Sequence, residues 1–483
     1  MENFLKKPEK IFLTVCLFWG LIFLLVNPPF QGSDEDSHLY KIYGFTQGSL
    51  NFKKYSAFAQ AKISSANAEE SKNETKKQTF SGQILPAGLI EASRANKSIT
   101  FHPERKTSFS QTAEISKIPL HKENRMFLAH PVTPYSPVSY VPAVFVIWFM
   151  TLFSASPFAM LVAGRLCSLF VYLVCGYFAL KITPVKKWMF LAVLLMPMAV
   201  YESSVLSTDA FSTGMTVLLI AYSLRLAFDK KVKKITSKQN AVFLTLALFI
   251  GITKFVYLPL VFLYLLIPVE KFSCKKQRIL SFFIIFCVTA FLSACYVGSH
   301  LFVMKDVVSF STTISGADSL KFILTRPVEY IFMILKTLFT DAGYYLSSMT
   351  GAFGWSDTFL PLQTVVLYGF VLVFTAVFDS SGCDSIDFGW QNKFIFALCW
   401  LLCVFLVCTS CFIVFEPDMK NYFINGIQGR YFLPVAPVFL LLLSKGSGGS
   451  CGTGLNSKLV VLILMNLVLF VGLVRIIDRF YVK

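Results

Sequence analysis

The sequence predicts an all-α fold: a polytopic transmembrane bundle of about eleven spans, with re-entrant or interfacial helices in its external loops. Three observations carry that expectation. Of the 483 residues, 55% are hydrophobic and the mean hydropathy is +0.63, whereas ordinary soluble domains are roughly 45–50% apolar. The apolar residues gather into runs, many long enough for a hydrocarbon core of about 30 Å. The net charge of +17 arises largely from short basic clusters between those runs, such as "KITPVKKW", "DKKVKKITSK" and "KFSCKKQR". Clusters so placed mark cytoplasmic loops, so the charge points away from nucleic acid as a partner.

The first run, Ile11–Val26, has a basic front and no small-residue cleavage site behind it, which predicts an uncleaved signal anchor with a cytoplasmic N-terminus. Further spans are expected at Ala159–Leu180, Trp188–Val205, Phe211–Phe228, Ile279–Phe302, Gln363–Phe378, Phe394–Phe415, Phe432–Leu443 and Leu459–Ile477. The apolar stretch Asn240–Val269 has basic clusters at both ends, so it must turn back as a hairpin whose apex, "GITKFVY", carries Lys254 to the outer face. Val138–Phe153 would invert every later basic cluster if it spanned. It is therefore expected to be interfacial, as is Pro327–Phe339, whose apolar run is interrupted by Glu329 and Lys336. The chain is read as a single membrane domain over 1–483, with large external loops at 27–137 and 304–361. Most of the twelve cysteines lie inside apolar runs and are expected to pack as small apolar residues.

This topology places several polar features on one face. "NPPFQGSDEDSHLYKIYGF" supplies Asp34, Glu35, Asp36 and His38, and "HPVTPYSPVSYVP" supplies His130, Tyr135 and Tyr140. "YESSVLSTDAF" brings Glu202 and Asp209, the hairpin apex Lys254, "GAFGWSDTFLP" Trp355 and Asp357, and "GIQGRYFLP" Arg430 and Tyr431. Each charge alone fits snorkelling or an internal pair, but their number on one side suggests a shared cavity. Carboxylates there can act as a general base, and the Asp-x-Asp spacing of Asp34 and Asp36 permits a divalent cation, Mg²⁺ or Mn²⁺. Lys254 and Arg430 suit a phosphate, with Tyr431, Trp355 and Asp357 as further substrate-binding candidates. No HExxH or P-loop pattern occurs.

Those blocks, with "LLMPMAVYESSVLSTDAF" and "GIQGRYFLPVAP" among them, stand in the order found in the bacterial DUF2142 family of membrane proteins, over roughly Ile11 to Leu443. That family is similar to the GT-C glycosyltransferases. The resemblance implies a GT-C-like bundle in the bacterial inner (cytoplasmic) membrane, working on its outer face with a polyprenyl-phosphate-linked sugar donor and a glycan acceptor of the cell envelope. It also implies that Asp34 and Glu35 match the essential acid of the first external loop, His38 its companion, and Asp209 the acid of the second external turn. A third acid, Asp36, crowds the motif, which leaves the leading carboxylate open. A carrier of lipid-linked glycans and a non-catalytic scaffold of an envelope polysaccharide system remain the competing readings.

Overall fold

The structure is a computed structural model and describes residues 2–48, 53–58, 77–129, 136–304, 316–379, 388–415, 417–444 and 454–482. His130 and Tyr135 lie outside the described residues. About three quarters of the described residues, 75%, are helical.

A short α1 (Glu2–Leu5) leads into α2 (Pro8–Val26), which is followed by α3 (Glu35–Thr46). Then come β1 (Lys53–Phe58), β2 (Lys77–Pro86), α4 (Ala87–Arg94), α5 (Phe109–Lys117) and β3 (Arg125–Ala129). A 3₁₀ turn, Pro137–Tyr140, opens α6 (Val141–Leu152), followed by α7 (Pro157–Ile182), α8 (Lys187–Leu194), α9 (Pro197–Ser203), α10 (Asp209–Phe228) and α11 (Ser237–Thr253). A 3₁₀ segment, Phe255–Leu266, returns beside α11 to α12 (Lys275–Met304). Next are α13 (Gly316–Thr325), α14 (Pro327–Thr340), α15 (Ala342–Gly351), the two-residue strands β4 (Ala352–Phe353) and β5 (Thr358–Phe359), α16 (Leu362–Phe378) and α17 (Trp390–Val414). The chain finishes through the 3₁₀ turn Gly429–Val435 into α18 (Ala436–Leu443) and α19 (Leu455–Phe480).

Among the described residues six helices, α2, α7, α10, α12, α17 and α19, are long and apolar enough to cross a membrane, and shorter apolar helices lie between them. The expected span Trp188–Val205 is two helices instead. Proline cannot donate its amide and pushes the residue before it out of the helical region; Met196, before Pro197, has φ −56° and ψ 133°, and there the helix breaks. The hairpin forms, because Asn240 near the start of α11 accepts from the Tyr264 hydroxyl at 2.8 Å and the Ile235 amide bonds the Lys271 carbonyl at 2.8 Å. Lys254 stands at its turn. With twelve residues, α6 is about 18 Å long and turns Val141, Phe145, Phe149 and Leu152 outward. Likewise α14 buries Tyr330, Met333 and Thr337 but exposes Val328, Phe332 and Phe339, so it is apolar on both sides.

The all-α expectation needs correction in loop 27–137, where β1, β2 and β3 form an antiparallel sheet in that order. These strands are short, and β2 buries Gln83 and Leu85 while Ile84 stays exposed. Such alternation is faint beside apolar runs of twenty residues. Loop 27–137 also grips the end of α19: the Thr107 amide bonds the Phe480 carbonyl at 2.8 Å, and Phe109 stacks on Tyr481 at 4.6 Å. The Tyr481 hydroxyl bonds the Val26 carbonyl at 2.9 Å, so the first and last long helices finish on the same face. At the other end, Asp379 accepts from the first amides of α8, Trp188 at 2.7 Å and Met189 at 3.4 Å, where a carboxylate favours the helix dipole.

Candidate functional site

The site forms where α2, α9 and α11 finish and α7 and α10 begin. A helix end leaves carbonyls without partners, and at the end of α2 these are met by Arg165 of α7. Its Nη1 donates to the Leu24 and Asn27 carbonyls at 3.1 and 2.8 Å, and its Nη2 to the Pro28 carbonyl at 2.9 Å. Nε and Nη2 then close on Glu35 Oε1 and Oε2, both at 2.7 Å. Five N–H groups meet five oxygens, which is the whole donor capacity of a guanidinium. Glu35 is fully buried and also accepts from the amides of Leu206 at 3.0 Å and Gly32 at 3.3 Å. Glu35 therefore joins three segments from inside.

Asp34 precedes it at the start of α3 with φ 56° and ψ 18°. That left-handed turn, tolerated best by Gly, Asn and Asp, sends the two neighbouring carboxylates in different directions. The Asp34 side chain makes no hydrogen bond or ion pair among the described residues and keeps contact with solvent, although protein crowds around it. Loss of water raises its pKa above the usual carboxylate value; Arg430 pulls it down, while Asp36 and Asp209 push it up.

Beside it lies a four-membered charge cluster. Lys254 pairs with Asp209 Oδ1, and Arg430 Nη1 donates to Glu202 Oε1 at 2.9 Å. Arg430 Nε stands 3.9 Å from Asp209 Oδ2. Ser207 closes the acidic side, donating to Glu202 Oε2 at 3.2 Å and accepting the Asp209 amide at 3.1 Å. The Tyr431 ring lies 5.8 Å from Lys254 Nζ and 5.7 Å from Arg430 Cζ, a cation–π distance for both. Arg430 reaches the cluster because Gly429 lets its chain touch α15: a Cβ there would sit 2.0 Å from the Tyr345 carbonyl oxygen.

His38 is buried in α3, its Nδ1 2.6 Å from the Tyr140 hydroxyl. Burial pushes its pKa down to about 3, so the ring is neutral at ordinary pH. One turn on, burial takes Lys41 down to about 7; its Nζ is 5.7 Å from the Tyr140 ring. At the mouth Asp36 pairs with Lys97 at 3.5 Å, and Lys97 lies 4.7 Å over the Trp355 ring. Ser33 bonds the Gly354 carbonyl at 3.0 Å, which ties the Trp355 loop to the start of α3. A narrow crevice between α6, α7 and α10 runs up to this region, lined by Tyr140, Ala143, Cys167, Ser168, Ser207 and Phe211 among others.

The structure thus gathers Asp209, Lys254, Arg430 and Tyr431, adds Glu202, and sets Asp34 and His38 beside them. Asp357 goes elsewhere: its Oδ2 accepts from Arg479 Nε and Nη2 at 3.0 and 2.7 Å, under the end of α19. Arg165, Lys97 and Arg479 are the partners that motif reasoning missed, although a lone Arg inside an apolar run of 26 residues is itself a signal. For a divalent cation the residues fit poorly. Asp36, Asp209 and Glu202 each face a cation of the protein, and among the described residues no three metal-binding side chains cluster.

The sequence model of a family described as "Predicted membrane protein (DUF2142)" matches residues 17–439. The chain belongs to the DUF2142 family. Asp34, Arg165, Asp209, Lys254 and Arg430 all fall within the DUF2142 match, and Arg479 lies beyond it. No curated protein and no solved structure matches the chain.

Proposed function

We propose that this DUF2142 protein is a GT-C-type glycosyltransferase of the bacterial cytoplasmic membrane. It would cross the membrane about eleven times with its N-terminus inside, and move a sugar on the outer face from a polyprenyl-phosphate donor to an envelope glycan. One observation carries this reading: two nearly buried cations, Lys254 and Arg430, share a cluster with Asp209, and beside that cluster lies an acid, Asp34, that no cation contacts among the described residues. The acceptor hydroxyl oxygen attacks the anomeric carbon from the side opposite the phosphate. The bond from that carbon to the phosphate oxygen breaks, its electron pair stays on the phosphate, and the acceptor proton passes to Asp34. Lys254 and Arg430 stabilise the leaving phosphate in a site that water reaches poorly.

The other acids have supporting parts. Asp209 and Glu202 aim the two cations, and Glu35 with Arg165 holds the backbone from which Asp34 projects. Trp355, Lys97 and Asp36 form the rim where a glycan acceptor would rest. The test is sugar transfer by purified protein supplied with polyprenyl-phosphate sugars. Turnover by the wild type that survives both Asp34→Asn and Arg430→Gln refutes the mechanism. The break between α8 and α9 and the 3₁₀ segment at Phe255–Leu266 favour a second reading, since transporters use discontinuous helices at their binding sites. Movement of labelled lipid-linked glycan across vesicles without bond cleavage would select it.

A further inference from the structure

The last helix reaches the rim of the site through one side chain. Trp355 lies in the turn Gly354–Asp357 between β4 and β5, strands of two residues each. So short a ladder cannot hold an indole in place by itself. Gly354 and Ser356, on either side of Trp355, have φ 64° and 61°, and the left-handed serine is strained. The facing half of the rim, Lys97–Arg105, contains the 3₁₀ turn Lys97–Ile99 and bends left-handed again at Phe101, φ 59°. The halves meet at Trp355. The Phe101 ring packs against it at 5.4 Å with 62° between the planes, and Lys97 Nζ lies 4.7 Å over it.

Arg479 ties these halves together. Its Nε and Nη2 donate to Asp357 Oδ2 at 3.0 and 2.7 Å, Nη2 donates also to the Ile99 carbonyl at 2.8 Å, and Nη1 to the Arg105 carbonyl at 3.2 Å. The Ile99 and Arg105 carbonyls bracket Phe101. Asp357 closes the Trp355 turn, its Oδ1 accepting from the Thr358 hydroxyl at 3.0 Å. The Arg479 side chain is only 5% exposed, and its planar fork serves three acceptors in fixed directions, as an ammonium does not. Lys106 anchors the same helix end separately, donating to the Asp478 and Arg479 carbonyls at 2.8 and 3.1 Å.

We propose that Arg479 is the positioning residue of the rim: it fixes Trp355, Phe101 and Lys97 as one platform for a ligand ring, and so makes α19, which lies beyond the family match, part of the recognition site. That the ligand is a glycan acceptor rests on the transferase reading; the lock does not.

The experiment follows fluorotryptophan-labelled full-length protein in nanodiscs by fluorine NMR, with the Trp355 resonance assigned by its loss in Trp355→Phe. Arg479→Lys keeps the charge but not the fork, and its Trp355 resonance should shift or broaden. Asp357→Asn, which leaves Arg479 its two carbonyls, should move the resonance in the same direction and by less. Lys106→Met is the control: it should lower the melting temperature yet leave the Trp355 resonance in place. In sugar transfer, Arg479→Lys should raise the acceptor KM at least tenfold while donor KM and kcat stay within about twofold. An unchanged Trp355 resonance in folded Arg479→Lys, an equal change in Lys106→Met, or a fall in kcat with acceptor KM unmoved would each overturn the proposal. If Arg479→Lys does not fold, Asp357→Asn decides by the same readings. Wild-type protein that transfers no sugar would refute the transferase reading and its acceptor, and the Trp355 resonance would then decide the lock alone.

Discussion

Replacing Arg165 by Met removes five hydrogen bonds at once and leaves Glu35, fully buried, without its cation. Breaking a buried pair by deleting one partner costs about 3–5 kcal/mol. The stranded carbonyls of Leu24 and Asn27 add on the order of 1 kcal/mol each, while that of Pro28 keeps the Gln31 amide at 3.2 Å. Against a typical total of about 5–15 kcal/mol, Arg165→Met should be barely folded. Glu35→Gln should cost less, since Arg165 keeps its three carbonyls. The double variant has no unpaired charge and should be more stable than the sum of the single losses predicts, by about 1–3 kcal/mol. The assay is reversible unfolding in mixed micelles followed by tryptophan fluorescence. An Arg165→Met loss below about 1 kcal/mol, or strict additivity, would refute the claim that Glu35 is a positioning residue. So would a Glu35→Gln protein of unchanged stability and abolished turnover, which would make Glu35 the chemical group.

Asp34→Asn should cut transfer by about 10²–10⁴ while leaving unfolding unchanged. The base must be ionised, so the wild-type rate should fall as pH drops through the Asp34 pKa; that midpoint should lie above the unperturbed value of about 3.9, and the variant should lack this acid limb. Gly429→Ala drives a Cβ into the α15 backbone, 2.0 Å from the Tyr345 carbonyl and 2.4 Å from the Met349 amide. It should cost about 1–3 kcal/mol or more in the same unfolding assay and weaken donor binding by displacing Arg430.

What the sequence made legible is what depends on neighbours in the chain. The long apolar runs declare themselves, because a helix facing lipid needs only its own twenty or so residues to be apolar. The Lys254 apex is legible for a similar reason: basic clusters on both sides of one apolar stretch force it to return. Both sheet strands and the break at Pro197 are weaker signals, the first because alternation over a few residues is easily lost, the second because the stretch is apolar on either side of the proline. Partner choice is illegible in principle. Asp34, Glu35 and Asp36 are adjacent and chemically alike, yet Arg165 takes Glu35 from 130 positions away and Lys97 takes Asp36 from 61. Asp357 sits in as motif-like a block as Arg430, yet Arg479 claims it for the fold from outside the family segment. An acidic motif identifies where negative charge collects; which acid is free to react is decided by which one the distant cations leave alone. Of these three adjacent acids, the one left without a cation partner among the described residues is Asp34, after Arg165 and Lys97 have taken its neighbours.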